Sequence, residues 1–279
     1  MSEKRILFSI VVVTLNAGDK LEKTVKSILG QDYGLFEILV KDGMSKDGSV
    51  DALEREYGQD ERVKICRQRD LSIYDAMNQA VEKVKGDYVL FLNCGDTFYQ
   101  KDVLRKTAEY AEKKLGNGDG SKPCIFYGNT FCENTGAAVH SAPAITGFTC
   151  YRNIPCHQSC FYDRRLFERK KYDMEYRIRA DYDHFLWCFY RAGAVMEYMD
   201  FIVAAYEGGG YSESRENQAR DREEHRLITE KYMKKSELAR YRAMMALTLA
   251  PLRRKMAESR ALSGLYHSMK DKLYGRKGR

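Results

Sequence analysis

Through Asp96, short apolar runs alternate with stretches whose apolar positions recur at helical spacing, which predicts strand and helix in turn. Phe8 to Thr14 (FSIVVVT) is a β-branched run that predicts a buried strand, and it stops at the polar corner Leu15-Asn16-Ala17-Gly18. Asp19 with Glu22 forms a candidate capping box, followed by Leu21, Val25, Ile28 and Leu29 on one helical face. Phe36 to Lys41 predicts the second strand, closed by Asp42-Gly43, and Val50, Leu53 and Tyr57 mark the helix after it. Val63 to Cys66 predicts a short third strand. Asp70-Leu71-Ser72 then leads into a helix with Ile73, Met77, Ala80, Val81 and Val84 on one face. Gly86-Asp87 opens the most apolar run, Tyr88 to Leu92, which ends at Asn93-Cys94-Gly95-Asp96. Strands alternating with helices in this way call for a largely parallel sheet with helices on both faces.

After Asp96 the pattern loosens. Val103, Leu104, Ala108, Ala111 and Leu115 predict one more helix, Gly116 to Lys122 a surface loop, and Cys124 to Phe131 a strand. Glu133 to Ile145 reads as irregular, and Ile154 to Phe161 as a loop running into a short strand. Arg179 to Asp183 opens an aromatic helix that stops at Gly193. Ala194 to Tyr206 is a strand pair or one long strand, closed by the turn at Gly208-Gly209-Gly210. The chain then turns polar and helical until the Met- and Leu-rich stretch Leu238 to Leu252, rimmed by Arg240, Arg242, Arg253, Arg254 and Lys255.

Composition narrows the class. A chain of 279 residues with 44% hydrophobic content and four prolines can bury a full core and is not a disordered tail. Its eight cysteines are scattered without zinc-like pairing and read as reduced thiols of a cytoplasmic protein. Neither a signal peptide nor an apolar run long enough to span a bilayer is apparent. The net charge of +7 is uneven: Lys231 to Arg279 holds 14 Lys or Arg against 3 Asp or Glu, and the residues before it are net acidic. A nucleic-acid surface on the main domain is therefore not supported. An apolar stretch with a basic rim predicts association with an anionic membrane surface, at about 1 kcal/mol per basic residue.

Three corners carry the candidate chemistry: Thr14-Leu15-Asn16, Asp42-Gly43 and Asn93 to Asp96. Glycine permits close backbone approach to a ligand, and carboxylates there can accept from ribose hydroxyls or a uracil N–H, or hold a divalent metal. The same residue types also form turns for purely local reasons. A dinucleotide-binding GxGxxG and a phosphate-binding GxxxxGK[ST] are both missing from the chain.

In FSIVVVTLNAG, VKDGMSKDGS, RDLSIYDAMNQAVEKVKGDYVLFLNCGD, HQSCFY and RADYDHFL, the chain resembles family 2 glycosyltransferases of the GT-A fold. The central run is the most specific, and it is similar to bacterial transferases that build capsular, exopolysaccharide or lipopolysaccharide chains. The resemblance implies an α/β, Rossmann-like domain over 1–212, with a donor half at about 1–115 and an acceptor half at about 116–212, followed by a helical basic extension over 213–279. It also implies an inverting, metal-dependent, hexosyltransferase-type enzyme. The sugar would pass from a nucleotide donor, UDP favoured, to a lipid-linked or oligosaccharide acceptor at the inner face of the cell membrane.

Carried over by position, Thr14 and Asn16 would line the base pocket, Asp42 would pair with the base and Asp70 would sit by the ribose and diphosphate. Tyr74 and Asn78 would face the sugar, and Asp96 would bind Mg²⁺ or Mn²⁺ as the last acid of a DxD-type motif. The first acid of that motif is here Asn93, which can still bond a ribose hydroxyl but brings less negative charge to the metal. Asp181 would be the general base with Asp183 in reserve, and one of these acids could instead cap the helix. His157 and Gln158 would contact the acceptor or the donor sugar, although a lone loop histidine is as often structural. An alternative is a nucleotide-sugar-binding partner of a polysaccharide assembly complex without transferase activity, for which Asn93 is the support.

Overall fold

The computed structural model describes residues 5–116, 121–208 and 217–247. Strands β1 (Phe8–Thr14), β2 (Phe36–Asp42), β3 (Val63–Arg67) and β4 (Tyr88–Phe91) alternate with helices α1 (Asp19–Leu29), α2 (Ser49–Tyr57) and α3 (Ile73–Val81). The four strands pair in parallel in the order β3-β2-β1-β4. Every residue of β1, β2 and β4 is buried, which explains why these runs are continuous rather than alternating. The strand order reverses at β1, with β2 and β3 added on one side and β4 on the other, and the crevice at such a switch point opens at the carboxyl ends of the strands. Those ends deliver the three polar corners. The entry to β4 requires glycine: a Cβ on Gly86 would lie 2.6 Å from the Ser9 nitrogen and 2.9 Å from the Leu7 oxygen.

The second half comprises β5 (Thr97–Phe98), α4 (Val103–Gly116), β6 (Cys124–Cys132), β7 (Ala137–Val139), α5 (Gly147–Arg152), a 3₁₀ turn (His157–Ser159), β8 (Cys160–Asp163), α6 (Arg164–Arg169), α7 (Ala180–Tyr190) and β9 (Val195–Tyr206). These strands extend the same sheet as β4-β8-β6-β9-β5, with β7 paired to β6. The pairing is now mixed: β8 runs antiparallel to β4 and β6, β9 parallel to β6, and β5 antiparallel to β9. Aromatic side chains join the halves, with Phe8 edge-on to Phe161 at 5.3 Å and Tyr88 tilted against Phe126 at 5.2 Å. Two helices follow, α8 (Gln218–Tyr232) and α9 (Lys235–Leu247), and the chain divides into compact units Met1–Ile228 and Thr229–Arg279.

Most elements fall where the apolar pattern predicts them, and the departures have local causes. Asp19 does not cap α1. The N-cap is Gly18 at φ 55, which has no side chain to cap the helix, and its own amide donates to Asp47 Oδ2 of the neighbouring corner at 2.9 Å. The stretch expected to be irregular contains the short hairpin strand β7 and runs on into α5, which Thr146 opens with a capping box. Of the two alternatives for Ala194 to Tyr206, the structure takes the single long strand, Val195–Tyr206, with register shifts between Tyr127 and Thr130 of β6. Two-residue β5 and six-residue α6 are too short for a periodicity to declare them. The stretch from Leu238 is helical to Leu247. Its continuation to Leu252, the remainder of the basic extension and the glycine turn from Gly209 onward lie outside the described residues. No helix among the described residues is long and apolar enough to cross a membrane.

Candidate active site

The first side of the crevice is built by the ends of β1, β2 and β3. Asp42 is buried at the last position of β2, and its Oδ1 accepts from the Ser45 amide at 2.9 Å and from Ser45 Oγ at 2.6 Å. Ser45 Oγ in turn accepts from the Asn16 amide at 2.9 Å, and Asn16 Oδ1 accepts from the Lys46 amide at 2.8 Å. This lattice ties the β1 corner to the β2 corner. It holds Asn16 and Met44 at φ 51 and 75, left-handed values that non-glycine residues adopt only where their surroundings impose them. Thr14 is buried beside them at the end of β1, and its oxygen accepts from the Gly43 amide at 2.9 Å.

Lys41, which sequence reasoning passed over, organises the neighbouring acid. Its side chain is fully buried, and its ammonium lies 2.8 Å from Asp70 Oδ2 and donates to the Gln68 oxygen at 2.6 Å. Asp70 is thereby held against Gly43, where a Cβ would come within 2.8 Å of its Oδ2. Glycine after Asp42 is thus a requirement of the Asp70 placement. A lysine closing an otherwise buried strand, immediately before an acid, was the available signal, since buried charges are kept only with a partner.

The second side joins distant segments through one chain of polar contacts. Asn93 Nδ2 is 3.0 Å from His157 Nε2, and His157 Nδ1 lies 3.7 Å from Asp181 Oδ2. Asp181 Oδ1 accepts from the Tyr182 amide at 2.9 Å and faces the Tyr74 hydroxyl at 2.9 Å, which also lies 2.6 Å from the Ile178 oxygen. With Asn93 donating to Nε2, the imidazole carries its proton on Nδ1, toward Asp181. Burial lowers the His157 pKa, opposed by the Asp181 charge, so the ring is neutral near pH 7. Burial, and then Asp181, raise the Tyr74 pKa well above its usual value, which keeps the hydroxyl a donor. Asp181 and His157 each keep 23% of their side-chain surface exposed.

Asp96 lies beyond Asn93 in a tight turn, its amide donating to the Asn93 oxygen at 3.0 Å and its own oxygen accepting from Thr24 Oγ1 at 2.8 Å. Its carboxyl pKa is pushed up to about 7 by burial and by the charge of Glu133, with Lys23 and Lys20 opposing and Glu207 adding. Asn93 Oδ1 is buried without a hydrogen-bond partner. A carboxylate among like charges and an orphaned amide oxygen at one corner suit a divalent cation that brings further ligands with it. Among the described residues, no group of three or more His, Cys, Asp or Glu could hold a metal ion alone.

Four expected roles do not match the geometry. Tyr74, expected to face the sugar, is buried with its hydroxyl against the Ile178 oxygen and Asp181 Oδ1. Asn78 spends its amide on the backbone of Tyr172, donating to its oxygen at 2.9 Å and accepting from its nitrogen at 2.9 Å, so it anchors a loop instead of facing a sugar. Asp183 is fully buried and ion-paired with Lys170, which removes it as a reserve base. Gln158 is also buried, so of the His-Gln pair it is His157 that offers the more accessible surface to a ligand.

The chain matches the family model described as Glycosyl transferase family 2 over residues 9–191. It is 35% identical over 211 residues to a PGL/p-HBAD biosynthesis glycosyltransferase of Mycobacterium bovis, covering 74% of this chain and 79% of that protein. Among solved structures, S. aureus TarS 1-349 in complex with UDP-GlcNAc superimposes with a TM-score of 0.65 at 20% identity, over 80% of this chain and 65% of that one, less than two thirds of its length. The mannosyltransferase PcManGT of Pyrobaculum calidifontis, in complex with GDP-Man and Mn²⁺, gives a TM-score of 0.64 at 15% identity over 98% of this chain and 88% of that one. At these identities the two structures speak for the fold, the GT-A arrangement of a mixed α/β sheet flanked by helices.

Proposed function

The chain belongs to glycosyl transferase family 2, and from that premise we propose an inverting transferase that moves a sugar from a UDP-sugar to a lipid-linked glycan in cell-surface polysaccharide synthesis. The observation that carries the reading is the contact chain Asn93–His157–Asp181, which joins the Asp96 corner to an accessible carboxylate across the crevice. Inversion by a single displacement needs a base on the acceptor side and charge stabilisation on the leaving side. Asp181 is the base: its Oδ1 is held by Tyr74 and Tyr182, leaving Oδ2 on the His157 side. Asp42, Thr14, Asn16 and Asp70 hold the nucleoside and diphosphate, with Lys41 fixing the Asp70 carboxylate. Asp96 and Asn93 Oδ1 would hold Mg²⁺ or Mn²⁺, which when bound supplies Lewis-acid stabilisation to the departing diphosphate.

The relatives support this reading through what their names say they bind or build: UDP-GlcNAc in one structure, GDP-Man with Mn²⁺ in another, and PGL/p-HBAD for the mycobacterial protein. The test is a thermal-shift screen of UDP, GDP and dTDP with and without Mn²⁺, followed by transfer of labelled sugar into the lipid-soluble fraction of membranes. We expect the largest shift with UDP plus Mn²⁺; a shift that ignores Mn²⁺ would remove the metal role of Asp96. The basic extension, 14 Lys or Arg against 3 Asp or Glu from Lys231 onward, supports attachment to the inner membrane face. Liposome binding should require anionic lipid and weaken with salt, and undiminished binding after deletion of 238–279 would exclude it.

A further inference from the structure

We propose that Glu224, on α8 and beyond the segment that the family model matches, is a positioning residue for Asp181; the proposal rests on Asp181 as the base. Glu224 is only 5% exposed, and both its oxygens are engaged by three consecutive amides. Oε1 accepts from the Arg177 nitrogen at 3.0 Å, and Oε2 from the Ile178 and Arg179 nitrogens at 3.0 and 2.9 Å. These amides immediately precede Ala180, the first residue of α7, whose N-cap Arg179 makes no side-chain cap bond. A carboxylate set against successive N–H groups is the arrangement by which backbone binds an anion, here used to fix a turn.

The turn passes its position to the base. The Ile178 oxygen accepts from the Tyr74 hydroxyl at 2.6 Å, and the same hydroxyl lies 2.9 Å from Asp181 Oδ1. Two further residues of the same helical face reinforce the clamp. Asp221 pairs with Arg179 at 2.7 Å, and His225 stacks on Tyr182 with centroids 5.3 Å apart and the rings inclined by 16°. Nothing in the local sequence around Asp181 encodes this support. It comes from a helix more than forty residues downstream, as the separation of 45 between Glu224 and Arg179 records.

Displacing a catalytic group by about 1 Å costs about 10²-fold in rate, which sets the expected effect of Glu224→Gln. Glutamine offers one acceptor oxygen and turns an NH₂ toward the amides, so it cannot satisfy all three. In the full chain with Mn²⁺, we expect Glu224→Gln to accelerate hydrogen exchange at the amides of 177–179. It should also lower turnover in nucleotide release from UDP-GlcNAc or GDP-mannose by about 10²-fold, with the KM for nucleotide sugar within about twofold of the wild type. Glu224→Asp keeps both oxygens and should restore part of the turnover; if the Gln variant fails to fold, this variant decides by the same two readouts. Unchanged exchange, faster exchange with normal turnover, or a loss carried entirely by KM would each overturn the proposal. Asp181→Asn separates it from the reading beneath it. Normal turnover in that variant removes the base itself, whereas an inactive Asp181→Asn beside a fully active Glu224→Gln removes only the clamp.

Discussion

The two sides of the crevice are assembled in different ways. On the β1–β3 side each candidate group sits at or just past a strand end, and its contacts run within that corner or to the adjoining one: Asp42 to Ser45, Asn16 to Lys46, Lys41 to Asp70. On the Asp181 side the partners are far apart in the chain, with Asn93 and His157 separated by 64 positions and Tyr74 and Asp181 by 107. A parallel βαβ sheet presents loops at one edge by construction, so residues there need only the right strand ends. The mixed half carries no such rule. Its candidate carboxylate, Asp181, is held by contacts that only the folded chain brings together.

This contrast can be broken by substitution. The largest expected effect is Asp181→Asn, which should lower turnover by about 10²- to 10⁴-fold while UDP binding, followed by thermal shift, is retained; loss of both would mean that Asp181 belongs to the donor side. Lys41→Met strikes the other side. Lys41 is fully buried and Asp70 keeps 13% of its side chain exposed, so leaving the acid unpaired should cost about 3–5 kcal/mol in urea denaturation. Nucleotide affinity should fall with it, whereas a donor affinity equal to wild type would show that Asp70 is not fixed by this pair.

Smaller effects sharpen the comparison. Tyr74→Phe removes the hydroxyl whose single proton lies between the Ile178 oxygen and Asp181 Oδ1, a contact worth about 1.5–3 kcal/mol where the carboxylate accepts it. It should reduce turnover by roughly tenfold or more without changing nucleotide binding, and an equal fall in affinity would place Tyr74 against the donor. The last effect concerns a fully buried histidine of α7. His184 is stacked on Phe167 with ring centroids 4.3 Å apart, and burial depresses its pKa from 6.5 to about 3. Between those values the unfolded chain binds the proton that the folded chain excludes. Stability is therefore full above about pH 6.5 and is lost as pH falls toward 3, by at most about 1.4 kcal/mol per unit. Urea midpoints from pH 7.5 to 5 should show this slope in the wild type and a shallower one in His184→Gln.

Much of the donor side was legible from the chain. The apolar runs ending at Thr14, Asp42 and Leu92 located the strand ends, and the polar residues after them located the corners. Lys41 escaped because a lysine at a strand end reads as solvated unless its partner is known, and the partner lies 29 positions away. Asn78 was misread for a related reason. Whether an amide on α3 meets a ligand or a loop depends on where Tyr172 folds back.

Hydrophobic periodicity and the residues closing each strand thus sufficed for the α/β class and for the candidacy of Asp42 and Asp96, whereas Asp70 and Asp181 became candidates only through the resemblance to family 2 glycosyltransferases. The class and the first two candidacies are properties of local pattern, because burial on both faces of a strand and the polarity of its end are written in consecutive residues. The resemblance ranked Asp181 ahead of Asp183, but the different burial and pairing of the two acids was decided by tertiary structure alone. The two acids stand two positions apart at the start of one helix, and only the fold turns one toward His157 and Tyr74 while sealing the other against Lys170. Burial and pairing decide which carboxylate is free to take a proton, and both are properties of the packed chain.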